Sequence, residues 1–389
     1  MTPLPLGYVP LLDAAPLIVA HEMGFAAEEG LDLRLTAAPS WSALRDMLAF
    51  GQVDAAHMLS PVPVAVALGL GGGSVPLATL MVLSLNGTSV GIGPALAHVL
   101  WGAGHGFGFD DAAAAGRALV GLGRPLTIGV PFPFSMHAEL LYLWLSASGL
   151  PAPQGLDVRT VPPPRMTEAV ASGEIDAFCV GEPWGSMAVE RGAATLLLPG
   201  RAIWTAAPEK VLAARADWAD AERGLAGRLM RAVWRAGRWL SEPGAHVTAA
   251  EMLARPAYLD LPAEVIDRAL TGRLFVSSRG ERRRVPGFVT FHEGAATFPW
   301  RSQAAWIADR MAARLGLDRM AARDAARAVH RTDLYRDALR GTGAILPGAS
   351  ERVEGGIVPG TAVPSEEGRL ILGENRFFDD RVFDPAAGI

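Results

Sequence analysis

One short motif occurs twice in this chain and constrains its fold more than any other feature. Ala49-Phe50-Gly51-Gln52-Val53-Asp54-Ala55 and Ala171-Ser172-Gly173-Glu174-Ile175-Asp176-Ala177 both read A-x-G-x-(V/I)-D-A. In each, the glycine is placed to end a helix, and a tight turn feeds a buried strand. The order of elements around the motif repeats as well. Periodicity predicts a strand over 4–9, a helix over 15–29 entered through Asp13 and Pro16, and a strand over 31–35. A helix over 42–50 with Ser40 as its cap follows, then a strand over 53–58. The second block predicts a strand over 126–131, a helix over 136–148, a strand over 158–161, a helix from Met166 and a strand over 175–180. Alternating strands and helices build βαβ units, so the expected class is α/β, with two similar lobes and mainly parallel sheets.

Composition narrows the function classes. At ~150 residues per domain, 389 residues make two or three domains. Half the residues are apolar and 19% are charged, which describes a core-rich chain rather than a disordered one. A formal charge of -5 without basic blocks argues against a direct nucleic-acid face. The single cysteine, Cys179, excludes a disulfide framework within the chain and reads as a small buried hydrophobe. From Ala55 to Phe109 there is no Asp, Glu, Lys or Arg, yet Pro61, Pro63, Gly69, Gly71, Gly72, Gly73, Pro76 and Asn86 interrupt the stretch. It reads as buried strand and helix rather than membrane insertion. No basic residue precedes Arg34, so no secretory signal pattern opens the chain, and the expected location is cytoplasmic.

The expected division is 1–90 for the first part of lobe 1, 91–204 for lobe 2, and 205–340 for a return to lobe 1 with a helical extension. Residues 341–389 form a tail carrying Phe377, Phe378 and Phe383, which are too costly to leave in water, so the tail is expected to dock on the body. Helices are expected over 221–240 and near 303–315 and 320–340.

Neither HExxH nor GxxxxGK[ST] occurs in the chain. The histidines lack metal-ligand spacing, and neither a metal nor another cofactor is expected. Lys210 is the only lysine among 35 basic residues. It is either a chance survivor or a site that wants a compact point charge rather than a planar fork. It lies where the chain returns from the second block, and crossings between lobes are where clefts form.

Several stretches resemble the NrtA/CmpA/NasS family of nitrate, nitrite and bicarbonate binding proteins. They are Leu6-Gly7-Tyr8-Val9-Pro10-Leu11-Leu12-Asp13-Ala14-Ala15-Pro16-Leu17, Pro39-Ser40-Trp41, Arg45-Asp46, and Asp54-Ala55-Ala56-His57-Met58-Leu59-Ser60-Pro61. Asn86-Gly87, Val161-Pro162-Pro163, Phe178-Cys179-Val180-Gly181-Glu182-Pro183-Trp184 and Pro208-Glu209-Lys210 continue the match, collinear over residues 4–340. The resemblance implies a two-lobed periplasmic-binding-protein-like fold of type II with two interlobe crossovers. It also implies a nitrate site in which Trp41, His137 and Lys210 surround the anion and Pro163 and Val180 line the pocket. The chemistry is coherent: an ammonium supplies charge, an imidazole donates a hydrogen bond, and an indole offers a donor and a planar wall. Bicarbonate-binding members carry an acidic residue, working with a metal, where this chain has Lys210. Where nitrate transport members have glutamine after Asn-Gly, this chain has Thr88, whose hydroxyl reaches an anion only through water or a lobe shift.

Read from the residues alone, Trp41 also fits a plain core filler and His137 a helix cap. Glu182 and Trp184 fit either the cleft or a hinge. The resemblance, taken with the chain's opening, favours a cytoplasmic NasS-type sensor that holds a NasT-type antiterminator, an RNA-binding protein with an ANTAR domain, until nitrate or nitrite binds. The alternatives are an exported component of a nitrate/nitrite ABC transporter, a binding protein for another anion such as a sulfonate or formate, and an enzyme on the same lobed fold. The last needs a nucleophile or a cysteine and histidine cluster in the cleft.

Overall fold

A computed structural model describes residues 1–73 and 75–387 of the chain. Strands β1 (Thr2–Tyr8), β2 (Leu31–Ala37), β3 (Ala55–Leu59) and β4 (Leu77–Asn86) lie in a first sheet. At Asn86-Gly87 the chain crosses to a second sheet of β5 (Thr88–Ile92), β6 (Leu126–Val130), β7 (Leu156–Thr160), β8 (Ala177–Gly181) and β9 (Thr195–Pro199). It returns through residues 200–207 to β10 (Pro208–Arg215), which inserts between β3 and β4. A hairpin of β11 (Arg273–Phe275) and β12 (Arg282–Arg284) follows, and β13 (Val289–Thr290) pairs with β4 at the sheet edge. The sheet orders are β13-β4-β10-β3-β1-β2 and β7-β6-β8-β5-β9.

Both lobes use the repeated motif in the same place. Gly51 (φ 70°) and Gly173 (φ 77°) follow their helices in the left-handed region, where a side chain would be strained. The aspartate beyond each donates its backbone N–H to the neighbouring parallel strand. Asp54 bonds Pro5 O of β1 at 2.9 Å, and Asp176 bonds Thr127 O of β6 at 2.8 Å. The units β2-β1-β3 and β7-β6-β8 are two copies of one parallel arrangement.

The sheets as wholes are mixed, which corrects the expectation of mainly parallel pairing. β10 runs against β3 and β4, β13 against β4, and β5 against β8 and β9. The chain leaves the first lobe along β4 and comes back along β10, so these adjacent strands must run in opposite directions.

Two helical segments are also interrupted. The segment 15–29 divides into Ala15–Glu22 and Phe25–Glu28 because Gly24 adopts φ 78°. The 320–340 segment divides into Arg319–Val329 and Thr332–Leu339 at His330, whose backbone opens to ψ 104° and whose buried Nδ1 lies 2.9 Å from Trp300 O. Ser40 caps the Trp41–Ala49 helix by accepting the Ala43 N–H at 3.2 Å. The uncharged stretch is cut into β3, the Pro61–Ala67 helix, β4, β5 and the Pro94–Gly102 helix. Among the described residues no helix is long and apolar enough to cross a membrane.

The crossovers run side by side. Asn86 (φ 58°) and Gly87 (φ 87°) turn the chain through left-handed conformations, which an Asn-Gly pair tolerates. Asn86 donates its side-chain amide to Thr205 O (2.8 Å) and its backbone N–H to Ala207 O (3.0 Å), which binds the outgoing connection to the returning one.

Further along, the Arg301–Leu315 helix packs on the second lobe. Trp306 lies 4.7 Å from the Trp204 ring, and Arg314 donates to the buried Glu139 at 2.7 Å. The tail closes over this region. Phe377 is 4% exposed, stacked on Trp306 at 5.7 Å and tilted against Trp204 at 4.9 Å. Trp204 Nε1 donates to Asn375 Oδ1 at 2.6 Å, and the Phe378 N–H to Ile203 O at 2.9 Å. Removing the ring at Phe377 leaves a cavity between two tryptophans. Phe377→Ala is expected to lower unfolding stability by ~3–5 kcal/mol in urea titration and to expose the tail to limited proteolysis; an unchanged midpoint would show that the ring does not anchor the tail.

Candidate functional site

The polar centre of the molecule forms where the first lobe meets the second. Lys210, on β10, is 0% exposed. Its Nζ lies 2.7 Å from Asp13 Oδ2 and 2.8 Å from Glu209 Oε1. His57 Nε2, from β3, sits 3.0 Å from Asp13 Oδ1, and His137 Nδ1, from the second lobe, sits 3.2 Å from Glu209 Oε1. The Trp41 ring covers the group, with the ammonium 5.4 Å from its centroid and the His57 ring 5.4 Å away.

Local sequence explains each placement. Asp13 lies in the Leu12–Ala14 turn that ends β1 and opens the next helix. Trp41 is the first residue of the helix capped by Ser40, and that helix lies close on β1 because Gly7 has no side chain: a Cβ there would fall 2.3 Å from Leu44 Cδ1. His137 is the second residue of the Met136–Ala147 helix, whose cap is Ser135, accepting the Ala138 N–H at 3.2 Å. The histidine is therefore not the cap, and its ring is free to face Glu209.

Glu209 and Lys210 are adjacent in sequence, so a regular strand would send them to opposite faces. The register prevents that. Pro208 pairs with Leu85 and Lys210 with Ser84, so two steps on β10 match one on β4, a bulge centred on Glu209. Such bulges re-aim side chains, and here both charges reach one point.

Electrostatics follow from burial and pairing. Burial pushes the Asp13 carboxyl up, but Lys210 and His57 overcome it and hold it well below the ordinary carboxylate range. Burial also pulls the Lys210 ammonium down, and Asp13 and Glu209 more than offset this, leaving it above its ordinary value. Glu209 goes the other way: burial raises it to about 7, with Lys210 only partly pulling it back. Burial lowers both histidines, His137 strongly and with help from Lys210, so both rings are neutral near pH 7. Burial pushes the Cys179 thiol up, which keeps it protonated.

Several buried donors here have no hydrogen-bond partner: Trp41 Nε1, Ser84 Oγ and Thr88 Oγ1, with His137 Nε2 and Glu209 Oε2 also unpartnered. Ser84 is the cross-strand partner of Lys210. Leaving one such group unmade costs about 1–3 kcal/mol, so a buried ammonium with unpartnered donors near it is a candidate place for a small acceptor.

The structure brings Trp41, His137 and Lys210 together. Thr88 pairs with Gly181, and a Cβ on Gly181 would fall 3.8 Å from His137 Nε2, which puts Thr88 beside the group with its hydroxyl turned on Gly200. Val180 shares an apolar cluster with Phe178 while its neighbour Cys179 belongs to the opposite one, and Pro163 is buried in a short turn; neither supplies a side-chain polar atom. Glu182 is not a site charge. Its carboxylate accepts from Ser89 (2.6 Å) and from the Ser186 N–H (3.0 Å), while its peptide links Gly87 to Leu12 across the lobes. Trp184 reaches Pro10 O of the first lobe at 3.4 Å. From the sequence, Asp13 is only a helix entry, and Glu209 and His57 carry no site role. The available signal was a carboxylate beside the only lysine and the chain's first acidic residue at the end of an apolar run.

Residues 1–254 match the NMT1-like family. The nitrate/nitrite binding protein NrtA of Synechocystis is 28% identical over 397 residues, covering 99% of this chain and 83% of NrtA. The nitrate import ATP-binding protein NrtC of the same organism is 30% identical over 319 residues, covering 79% of this chain. The chain spans only 45% of the length of NrtC. Among solved structures, the periplasmic nitrate-binding protein NrtA from Synechocystis PCC 6803 superposes with a TM-score of 0.84 at 26% identity, over 99% of this chain and 96% of that one. An alkanesulfonate-binding SsuA from Xanthomonas axonopodis shares the fold at 17% identity and a TM-score of 0.56, over 87% of this chain and 98% of its own. The periplasmic-binding-protein architecture is therefore established. The chain belongs to the NMT1-like family, whose model matches residues 1–254.

Proposed function

We propose that this chain binds nitrate or nitrite between its lobes. The observation that carries the reading is the meeting of Lys210 and Trp41 from one lobe with His137 from the other, all buried around unpartnered donors. An ammonium has three N–H donors. Asp13 and Glu209 engage two, and the third remains for an anion. A planar, weakly hydrated monovalent anion suits the indole wall, and the names of the NrtA relatives support the same ligand. Because the contacts come from both lobes, an anion binds the closed form better than an open one and shifts the equilibrium by that difference.

The regulatory part of the proposal is that closure removes a surface that holds a NasT-type antiterminator with an ANTAR domain, in the cytoplasm. Its support is the collinear resemblance to the NrtA/CmpA/NasS family, which includes NasS-type sensors. The coverage of NrtA supports the transporter reading instead. A tagged chromosomal copy separates them. A sensor co-purifies with a cytoplasmic partner without nitrate and releases it with nitrate; a transport component fractionates outside the cytoplasm without such a partner.

Calorimetry with nitrate, nitrite, bicarbonate and sulfate tests the ligand. Nitrate or nitrite is expected to bind, and Lys210→Met to weaken that binding roughly 10- to 100-fold, the worth of one charge-assisted hydrogen bond. Trp41→Phe keeps the wall but removes the indole donor, so a loss of about three- to tenfold is expected. Melting curves check that each variant folds, and undiminished binding in folded Lys210→Met would remove the lysine from the site.

A further inference from the structure

The charges around Lys210 do not suit a simple anion receptor. Two carboxylates, Asp13 and Glu209, already approach the one ammonium within 2.8 Å. With both ionised and both histidines neutral, the group carries a net negative charge, and an arriving anion meets like charge in a buried place. Something must neutralise one carboxylate.

We propose that the anion binds together with one proton, which Glu209 holds on Oε2, so that this carboxyl changes from a repelling acceptor into a hydrogen-bond donor for the anion. The inference rests on the anion-binding reading and specifies how that site works.

Geometry selects Glu209 over Asp13. Each Asp13 oxygen lies within ion-pair distance of a nitrogen, Lys210 Nζ at 2.7 Å and His57 Nε2 at 3.0 Å, although neither contact has hydrogen-bond geometry. Only one Glu209 oxygen is engaged. Oε1 faces Lys210 Nζ at 2.8 Å and His137 Nδ1 at 3.2 Å, while Oε2 is buried without a partner. An ionised oxygen in that position is an unsatisfied acceptor; a protonated one is a donor. Apart from Lys210, every titratable group around it favours the protonated form or leaves it free. Asp13 adds negative charge, Cys179 on β8 stays a neutral thiol, and His57 is engaged by Asp13. His137 is held neutral by burial and by Lys210, so it does not supply the missing positive charge. Lys210 alone stabilises the ionised Glu209, and an anion on the ammonium competes for that same charge. The value of about 7 for Glu209 places the exchange in the neutral range, and a bound anion pushes it higher.

The balance is simple. Below about pH 7 Glu209 is already protonated and the anion binds without exchange. Above it, each anion takes up about one proton from solvent, and affinity falls about tenfold per pH unit until the carboxyl of the complex itself ionises.

Nitrate calorimetry on the wild-type protein reads this directly, at about pH 5.5 and about pH 8.5, in buffers of low and high ionisation heat such as phosphate and Tris. Buffer-dependent heat equivalent to about one proton per nitrate is expected at the higher pH and little at the lower. Glu209→Gln, which carries a permanent N–H donor, is expected to bind nitrate at the higher pH more tightly than wild type and with no proton uptake. Nitrate binding with buffer-independent heat near pH 8.5 overturns the coupling alone, as does persistence of wild-type proton uptake in Glu209→Gln. Absence of nitrate and nitrite binding at both pH values overturns the anion reading and the coupling with it.

Discussion

A lysine ammonium without solvent contact survives in a protein only if fixed negative charge replaces the water it has lost. In this chain Asp13 and Glu209 provide it, and they do so at the point where the two lobes touch. Such a buried group is a poor source of stability, because desolvation consumes most of the Coulomb attraction. Its retention makes sense as a device. The ammonium is held in place by two carboxylates, and burial raises one of them, Glu209, to about 7.

The rest of the fold serves that placement. Two copies of a parallel β-unit supply two similar lobes, and the antiparallel crossover strands fasten them. Asn86 ties the outgoing connection to the returning one, so the two crossovers run joined side by side. Glycines then allow close approach where side chains would hold surfaces apart. Gly7 admits the helix that carries Trp41, and Gly200 admits the Thr88 hydroxyl, where a Cβ would fall 2.2 Å away. On the far side, the Trp204, Trp306 and Phe377 rings and the Asn375 hydrogen bond secure the tail against the second lobe.

Much of this was legible before any coordinates. Periodicity and a twice-used glycine turn marked the β-units, because both depend on residues within one turn or strand. Trp41, His137 and Lys210 came from collinear resemblance, and the structure brings all three to one place. Other features were not legible. The helix over 15–29 breaks at Gly24 although its apolar pattern continues, because the left-handed turn outweighs the pattern. Ser135 caps the helix that His137 was a candidate to cap, and Glu182 is consumed by Ser89 and Ser186 instead of facing the cleft.

The sequence by itself determined the class of fold, the repeated unit, the buried character of the uncharged stretch and the residue types available for an anion. Those are consequences of local backbone preference and of which side chains avoid water. Only the tertiary structure decided strand direction, since β10 runs against its neighbours on account of a crossover many residues earlier. It alone decided that Glu209 and Lys210 share a face, since a bulge is defined by the register between β10 and β4 rather than by either strand. The charge balance of the site was likewise out of reach, because it depends on Asp13 and His137, which arrive from opposite lobes and meet the lysine only once the lobes are packed.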